Sequence, residues 1–328
     1  MEKKLDIIIP AYNAHSTLMR TLCSVGMQTI ASKIKVTIVN DCSPDGDYQQ
    51  IIERFQGHLD IQELILEENG GPGVAKQYGL DHTECPYIFF LDADDTLTNA
   101  FVLQYMLHGI EENKACEIYG DWFIESEHQA LIPMDTNKKG MGVNGRIYSR
   151  EFLDRFGIKF NAARIHEDSF FARRVEYYLQ LYNLPALHFE EKVMIYHYTP
   201  HSICKGLPDD DYDFTIIKAW FTNIKELILI LEKEKAQLDD FKVSCLVEMY
   251  VDYNYFYRTQ RHHIPELIQL QQDFFHSIYH TIPTMDDCMK KWDMISTNKE
   301  VVLIDNEVRE IVPPVLSFED YMQLLQGE

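Results

Sequence analysis

The sequence predicts an α/β fold, in which a mostly parallel mixed sheet is flanked by helices, followed by a helical C-terminal domain. Through residue 205, short apolar runs that end in polar or turn-forming residues alternate with segments of helical periodicity. This alternation is typical of βαβ units. After residue 206 the short runs give way to long helical patterns. We therefore expect an α/β domain over 1–205 and a helical domain over 206–328.

The elements of the first domain follow from hydrophobic periodicity and from turn residues. Strands are predicted over 5–9, 35–39, 61–66, 87–91, 117–124 and 192–198. Helices are predicted over 17–28, 47–56, 99–112, 148–156 and 167–178, with one more that opens in the glycine-rich loop 68–76 and reaches about His82. The polar stretch 134–146 has the composition of a surface loop, and an ordinary loop is favoured over an active-site lid.

The second domain is predicted to consist of helices over 213–236, 239–259, 264–280 and 317–326. The second of these carries a row of aromatic residues, Tyr250, Tyr253, Phe256 and Tyr257. Packing within the domain is favoured for this row over an oligomer contact or a platform for an acceptor sugar. We expect the domain to select the acceptor or to form a homo-oligomer.

Composition excludes some partners and indicates a compartment. The chain has 52 acidic and 30 basic residues and a net charge of −22, which disfavours nucleic acid as a partner unless a local basic patch exists. Its seven cysteines are dispersed without metal-binding spacing, as in a reducing compartment. No signal-peptide pattern or transmembrane segment is visible, so we expect a cytoplasmic protein, with peripheral membrane association left open.

Three acidic residues, Asp92, Asp94 and Asp95, follow directly after the apolar run 87–91. Carboxylates at the carboxyl end of such a strand lie where open α/β sheets bind ligands. Two carboxylates one residue apart can share a divalent cation that also binds diphosphate oxygens. The plainer alternative is an acidic turn with a helix cap at Asp95 and Thr96, and by itself so short a pattern favours it.

Other strand ends carry polar or turn-forming residues as well. Residues 10–13 follow the first strand, and Asp41 follows the second. In a parallel sheet these ends and the acids after residue 91 lie at one edge. The glycine-rich loop 68–76 has neither the P-loop nor the dinucleotide spacing, so a plain turn and a close approach to a ligand remain equally open for it.

A second group of candidate residues lies at the predicted start of the helix at 167. Glu167 and Asp168 occupy its first turn, where acids suit the helix dipole and where one of them could act as a general base. The residues alone leave both possibilities open. His197 lies near the end of the last predicted strand and is more simply a packed or surface histidine, unless that strand returns beside Asp94.

Taken together, five fragments in this order resemble the inverting family 2 glycosyltransferases of the GT-A fold, which are nucleotide-diphospho-sugar transferases. The fragments are Ile7–Asn13, Val39–Gly46, Asn69–Lys76, Leu91–Asp95 and His166–Asp168, and the resemblance covers about residues 4–205. It implies a hexosyltransferase that depends on Mn²⁺ or Mg²⁺ and moves a sugar from a nucleotide-sugar, with UDP favoured, to a hydroxyl group. Surface glycan (polysaccharide) or glycoprotein assembly is the expected context.

The resemblance also implies which residues bind the donor and the metal. The nucleotide-sugar site would comprise Pro10, Ala11, Tyr12, Asn13, Asp41, Asn69, Gly70, Gly71, Lys76, Asp92, Ala93 and Asp94. Asp41 would accept a hydrogen bond from the base, which favours uracil. Asp94 would bind the metal directly, and Asp92 would contact either the ribose or the coordination shell of the metal. His197, with His201 as second choice, would complete the metal shell.

For catalysis, the resemblance makes Asp168 the general base and Glu167 its support. The sequence also departs from the family pattern, because Lys76 and Gln77 stand where many relatives have Arg-Asn, so the diphosphate contact could be weaker or differently shaped. The absence of a Gln-x-x-Arg-Trp motif argues against a processive synthase. Two rival functions remain: a nucleotidyltransferase with a similar sheet, and a catalytically idle binding module.

Overall fold

The chain divides into two compact units, Met1–Cys204 and Lys205–Glu328, beside the predicted boundary. The computed structural model describes residues 2–134, 142–199, 210–234, 238–258, 263–279, 284, 286–288, 290, 301–305, 308–312 and 316–327.

The first unit is built on one nine-stranded mixed sheet. Its strands are β1 (Leu5–Ala11), β2 (Ile34–Asn40), β3 (Asp60–Ile65), β4 (Tyr87–Phe90), β5 (Thr96–Leu97), β6 (Glu117–Glu125), β7 (Leu131–Met134), β8 (Arg146–Ser149) and β9 (Ala186–Tyr196). The order is β3-β2-β1-β4-β8-β6-β9-β5, with β7 paired to β6. β1 is parallel to β2 and β4, β2 to β3, and β6 to β9, whereas the pairs made by β5, β7 and β8 are antiparallel.

Helices cover both faces of this sheet. They are α1 (Leu18–Gly26), α2 (Gln49–Ile52), α3 (Pro72–Asp81), α4 (Val102–Asn113), α5 (Arg150–Arg155) and α6 (Glu167–Leu181). Consecutive residues of β1 enter different cores: Ile7 packs with α1 and α4, and Ile8 packs with α3, α5 and α6. Gly79 lets α3 lie close to β1, since a Cβ there would come within 2.5 Å of the Ile8 side chain. Burial on both faces explains the continuous apolar runs of the central strands.

Two element predictions for the first unit are wrong, because pairing with neighbouring strands overrides local pattern. Tyr148 was expected to begin a helix, but it lies in β8, and α5 begins only at Arg150 after Ser149, whose hydroxyl caps it. The strand expected over 192–198 begins at Ala186, because the polar residues that open it pair with β6. β5 and β7 are too short to show a period in the sequence.

The second unit has helices α7 (Asp210–Lys233), α8 (Asp239–Arg258), α9 (Ile264–Ile278) and α10 (Phe318–Gln326). It also has an antiparallel hairpin that was not predicted, β10 (Val301–Asp305) with β11 (Val308–Val312).

The aromatic row of α8 is largely internal. Tyr250 and Tyr253 are buried against Tyr321, which confirms packing for these two residues, whereas 48% of Tyr257 is exposed and the side chain of Phe256 lies outside the described residues. Over the described chain, no helix combines the length and the apolar character needed to cross a bilayer.

Candidate active site

The carboxyl ends of β2, β1 and β4 meet at one edge of the sheet, as the sequence predicts. The parallel register aligns Ala11 with Asn40 and Ile8 with Phe90, so the segments that follow these strands emerge side by side. Tyr12, Asp41 and Asp92 are the first residues or nearly the first beyond the strands. This edge therefore gathers candidate residues that are far apart in the sequence.

Asp41 organises the first corner of the site. Only 4% of it is exposed, and its two carboxylate oxygens accept hydrogen bonds from the backbone N–H groups of Gly70 and Gly71, each at 2.8 Å. Burial raises the pKa of this carboxyl group, although the two N–H donors oppose the rise. Beside it, 51% of Tyr12 is exposed, so its ring is accessible to a ligand. Asp41 therefore fixes the glycine-rich loop, and each of its oxygens retains a lone pair that can accept a hydrogen bond from a ligand.

The loop is fixed from its other side by Asn69 and Arg164. The Asn69 side-chain amide donates to the Asp41 carbonyl at 3.1 Å, and its oxygen accepts from Arg164 at 2.7 Å. Gly71 has a φ of +87°, and a Cβ there would lie 2.9 Å from the Arg164 side chain. Both the backbone conformation and the close packing require glycine at this position.

The acids after β4 form the second corner, and α1 anchors their backbone. Thr21 donates to the Ala93 carbonyl at 2.9 Å, and Arg20 donates to the Asp94 carbonyl at 2.6 Å. The Asp94 carboxylate accepts from Thr199 at 2.7 Å. Burial, and next the charge of Asp92, raise the pKa of Asp94.

Asp95 is fully buried below this corner. Its Oδ1 accepts the backbone N–H of His197 at 3.0 Å, whereas its Oδ2 has no hydrogen-bond partner among the residues described. Burial, then the charges of Asp92 and Asp94, hold its pKa well above the ordinary range. The three acids thus crowd negative charge into a poorly solvated corner.

His197 lies beside these acids because β9 does return to this edge. Its Nδ1 contacts Glu125 Oε2 at 2.9 Å and its Nε2 contacts the Thr96 hydroxyl at 2.8 Å. Metal binding by this imidazole would require Thr96 to give up its contact, and the predicted role stays a prediction. His201 lies outside the described residues. Within the described part of the chain, no group of three or more His, Cys, Asp or Glu residues has the arrangement of a metal site.

The third corner joins α3 to the first turn of α6. Only 2% of the Lys76 side chain is exposed, and its ammonium nitrogen lies 2.7 Å from Asp168 Oδ1, 3.0 Å from Glu167 Oε1 and 3.7 Å from Asp92 Oδ1. Gly73 permits this approach, since a Cβ there would lie 2.4 Å from the carbonyl oxygen of Asn161.

The electrostatics of this corner reflect burial and close charges. Burial lowers the pKa of Lys76, but the neighbouring carboxylates outweigh that effect and raise it well above its usual value. Burial raises the pKa of Asp168 to about 7, although Lys76 opposes the rise. A carboxylate with such a pKa is suited to accept a proton near neutral pH.

The structure therefore brings the predicted residues together in three groups. Asp41 lies with Asn69, Gly70 and Gly71; Asp94 and Asp95 lie with the end of β9; and Lys76 joins Glu167 and Asp168 to Asp92. Lys76 was expected at the diphosphate, whereas its hydrogen bonds are to the acids of α6.

Sequence reasoning missed the residues that hold these groups in place. No sequence pattern marks Arg20, Thr21, Glu125 or Thr199 as functional, because each acts through a contact with a residue remote in the sequence. Among the arginines near the start of α6, Arg164 donates to Asn69, and Arg174 is buried and donates to the Gly157 carbonyl.

Comparison with known proteins gives one family match and several relatives. The family model described as Glycosyl transferase family 2 matches residues 6–180. The chain is 26% identical over 186 residues to the poly(ribitol-phosphate) beta-N-acetylglucosaminyltransferase TarP of Staphylococcus aureus (strain N315). The match covers 52% of this chain and 56% of TarP. It therefore spans about half the length of this relative.

A second relative is matched over more of its length. The chain is 24% identical over 255 residues to the GalNAc(5)-diNAcBac-PP-undecaprenol beta-1,3-glucosyltransferase of Campylobacter jejuni (subsp. jejuni serotype O:2). The match covers 74% of this chain and 79% of the relative.

Among solved structures, the fold is similar to that of S. aureus TarS residues 1–349 in complex with UDP-GlcNAc. The TM-score is 0.67 at 17% identity, and the match covers 94% of this chain and 96% of TarS 1–349. A likeness at this identity is one of fold, and it confirms the predicted GT-A fold class.

Proposed function

This chain belongs to glycosyl transferase family 2, and on that premise we propose that it transfers a sugar from a UDP-sugar to a hydroxyl group of an acceptor, with inversion at the anomeric carbon. One observation carries the proposal: Lys76 contacts Asp168 and Glu167 in the first turn of α6 and lies 3.7 Å from Asp92, so an acid that can act as a base lies close to the donor edge of the sheet. A single displacement requires one such base on the face of the sugar opposite the leaving group.

Four residues beside the sheet edge support the donor assignment. The accessible ring of Tyr12 offers a stacking surface to a base, and Asp41 holds Gly70 and Gly71 so that their backbone can lie close to the nucleotide. The similar protein TarS was solved with UDP-GlcNAc, and we take a UDP-linked sugar as the donor here.

We take the acceptor to be a hydroxyl group of a surface glycan, and we place the reaction in the cytoplasm. The names of the relatives TarP and the Campylobacter enzyme refer to a poly(ribitol phosphate) and to an undecaprenol-linked oligosaccharide. A glycan under assembly is the class of acceptor common to both names.

The acids after β4 fit a hard divalent cation, Mn²⁺ or Mg²⁺. Asp92 and Asp94 supply oxygen ligands of the kind these ions prefer, and the adjacent Asp95 Oδ2 is a buried oxygen without a hydrogen-bond partner among the described residues. Asp92 and Asp94 would hold the ion, and His197 would join them through Nε2 only after Thr96 gives up its contact, since the described residues hold no preformed group of three ligands. When bound, the cation would neutralise charge on the departing diphosphate.

The chain's own residues would perform the proton transfer. Asp168 accepts the proton of the acceptor hydroxyl as its oxygen attacks the anomeric carbon and the bond to the UDP oxygen breaks. Glu167 shares the Lys76 ammonium with Asp168, so the two acids are held beside one counter-charge.

Substitution of the base tests the proposal. UDP release and sugar transfer are measured with a panel of UDP-sugars, Mn²⁺ and glycan acceptors. We expect Asp168→Asn to lower kcat by roughly 10²–10⁴-fold, the usual contribution of a general base. Asp154→Asn, which changes an exposed acid on α5, is the matched control and should behave as the wild type.

Transfer by Asp168→Asn at the wild-type rate would exclude this residue as the base. Release of pyrophosphate from UTP and a sugar 1-phosphate, without transfer from any UDP-sugar, would instead identify a nucleotidyltransferase, and UDP-sugar binding without either reaction would identify a binding module.

A further inference from the structure

Lys76 lies between the two halves of the site, but its hydrogen bonds to described residues are on one side only. Its ammonium group donates to Asp168 Oδ1 at 2.7 Å and to Glu167 Oε1 at 3.0 Å. The nearest Asp92 oxygen, at 3.7 Å, is beyond hydrogen-bond distance. Lys76 is therefore hydrogen-bonded to Glu167 and Asp168, the acids on the acceptor side, and is attracted only electrostatically by Asp92 on the donor side.

The contact constrains the orientation of the Asp168 carboxylate. One oxygen, Oδ1, is held by the ammonium group, while 23% of the side chain remains exposed. A charge-assisted hydrogen bond of this length, to a lysine that is itself almost completely buried, restricts rotation of the carboxylate about its Cβ–Cγ bond. The other oxygen, Oδ2, is then the one presented to an incoming hydroxyl group.

We propose that Lys76 is a positioning residue for sugar transfer: it holds the Asp168 carboxylate by Oδ1 so that Oδ2 receives the acceptor proton. This role presupposes that Asp168 is the base, as proposed above. It differs from the role implied by family resemblance, in which Lys76 binds the donor diphosphate. The packing of α3 against α6 sets the geometry, since Gly73 lets the two segments approach.

Positioning of Asp168 and binding of the donor diphosphate predict different kinetic effects of replacing Lys76. A group that only positions the base acts on the chemical step, and a misplacement of about 1 Å can cost roughly a hundredfold in rate. A group that binds the diphosphate contributes to donor affinity as well. We therefore expect Lys76→Met to lower kcat by roughly a hundredfold, while the Kd for UDP changes by less than about threefold.

The experiment measures kcat and acceptor KM by initial rates, and the Kd for UDP by calorimetry, in the full chain with Mn²⁺ present. Lys76→Met removes the charge at similar length, and Lys76→Arg retains the charge. We expect Lys76→Arg to recover transfer to within about tenfold of the wild type, since it can still donate to Oδ1. Lys159→Met, which alters an exposed lysine, is the matched control.

Folding must be measured in parallel, because Lys76→Met leaves two buried acids without this counter-charge. Thermal melts and UDP affinity identify a variant that has merely unfolded, and in that case Lys76→Arg carries the test. A Lys76→Met or Lys76→Arg protein that binds UDP weakly but keeps its kcat would overturn the positioning role. So would a folded Lys76→Met protein with unchanged kinetics.

These outcomes are distinct from failure of the proposed function. If Asp168→Asn is inactive and Lys76→Met is fully active, the base stands and the positioning role falls. If Asp168→Asn transfers sugar at the wild-type rate, the base assignment falls and the positioning role falls with it, whereas the proposed function itself fails only if the wild type transfers no sugar.

Discussion

At Asp168, burial and a buried ammonium group act in opposite directions on one carboxyl group. Burial raises its pKa, Lys76 lowers it, and the nearby charges of Glu167 and Asp92 raise it again, which leaves the pKa at about 7. Neither effect could be predicted from the sequence, because both depend on the packing of α3 against α6. The sequence suggested an acid in the first turn of a helix, for which an ordinary role in the helix dipole was equally open.

This pKa gives a prediction for the pH dependence of transfer. A general base must be ionised to act, so kcat should fall about tenfold for each pH unit below 7 and level off above it. The measurement is kcat at saturating donor, metal and acceptor between pH 5 and 9, with UDP binding followed over the same range. A profile that stays flat down to pH 5 would contradict the role of Asp168.

At the scale of elements, the prediction succeeded where a segment's own residues determine its structure. Strands β1, β2 and β4 appear as apolar runs because they are buried, and the acids at their ends could be placed at one edge from parallel pairing alone. The predictions for β8 and for the first half of β9 were wrong because pairing with neighbouring strands, and not their own hydrophobic pattern, determines their conformation. Arg20 and Thr21 were missed for a related reason: they contact backbone carbonyls of a segment that is remote in the sequence.

The glycine-rich loop offers a test at this scale. Gly71→Ala would introduce a Cβ at a positive φ and within 2.9 Å of Arg164, so the loop should shift and UDP affinity should fall by about tenfold, given a strain of about 1–2 kcal/mol. Gly57→Ala is the matched control, because Gly57 also has a positive φ of +83° but has no atom within 4 Å of the added methyl group. Calorimetry with UDP measures both variants. Equal UDP affinity in the two would show that the loop does not contact the nucleotide.

At the scale of the whole molecule, the first unit divides its site between two regions of the sequence. Asp41, Asp92 and Asp94 follow β2 and β4 and form the donor side, whereas Glu167 and Asp168 begin α6 and form the acceptor side. Resemblance to a family predicted this division. It did not predict that Lys76 would link the two sides, because a lysine in a glycine-rich loop suggests a phosphate contact.

The division of the site is tested most directly by UDP calorimetry on the wild type, Asp94→Asn and Asp168→Asn, each with Mn²⁺ and again after EDTA. In the wild type, we expect removal of the metal to weaken UDP binding by roughly tenfold or more, since an ion held by Asp92 and Asp94 would neutralise charge on the diphosphate. Asp94→Asn should bind UDP weakly with or without Mn²⁺, whereas Asp168→Asn should retain the full wild-type response to the metal. Loss of the Mn²⁺ response in Asp168→Asn, or its persistence in Asp94→Asn, would contradict the division between donor and acceptor sides.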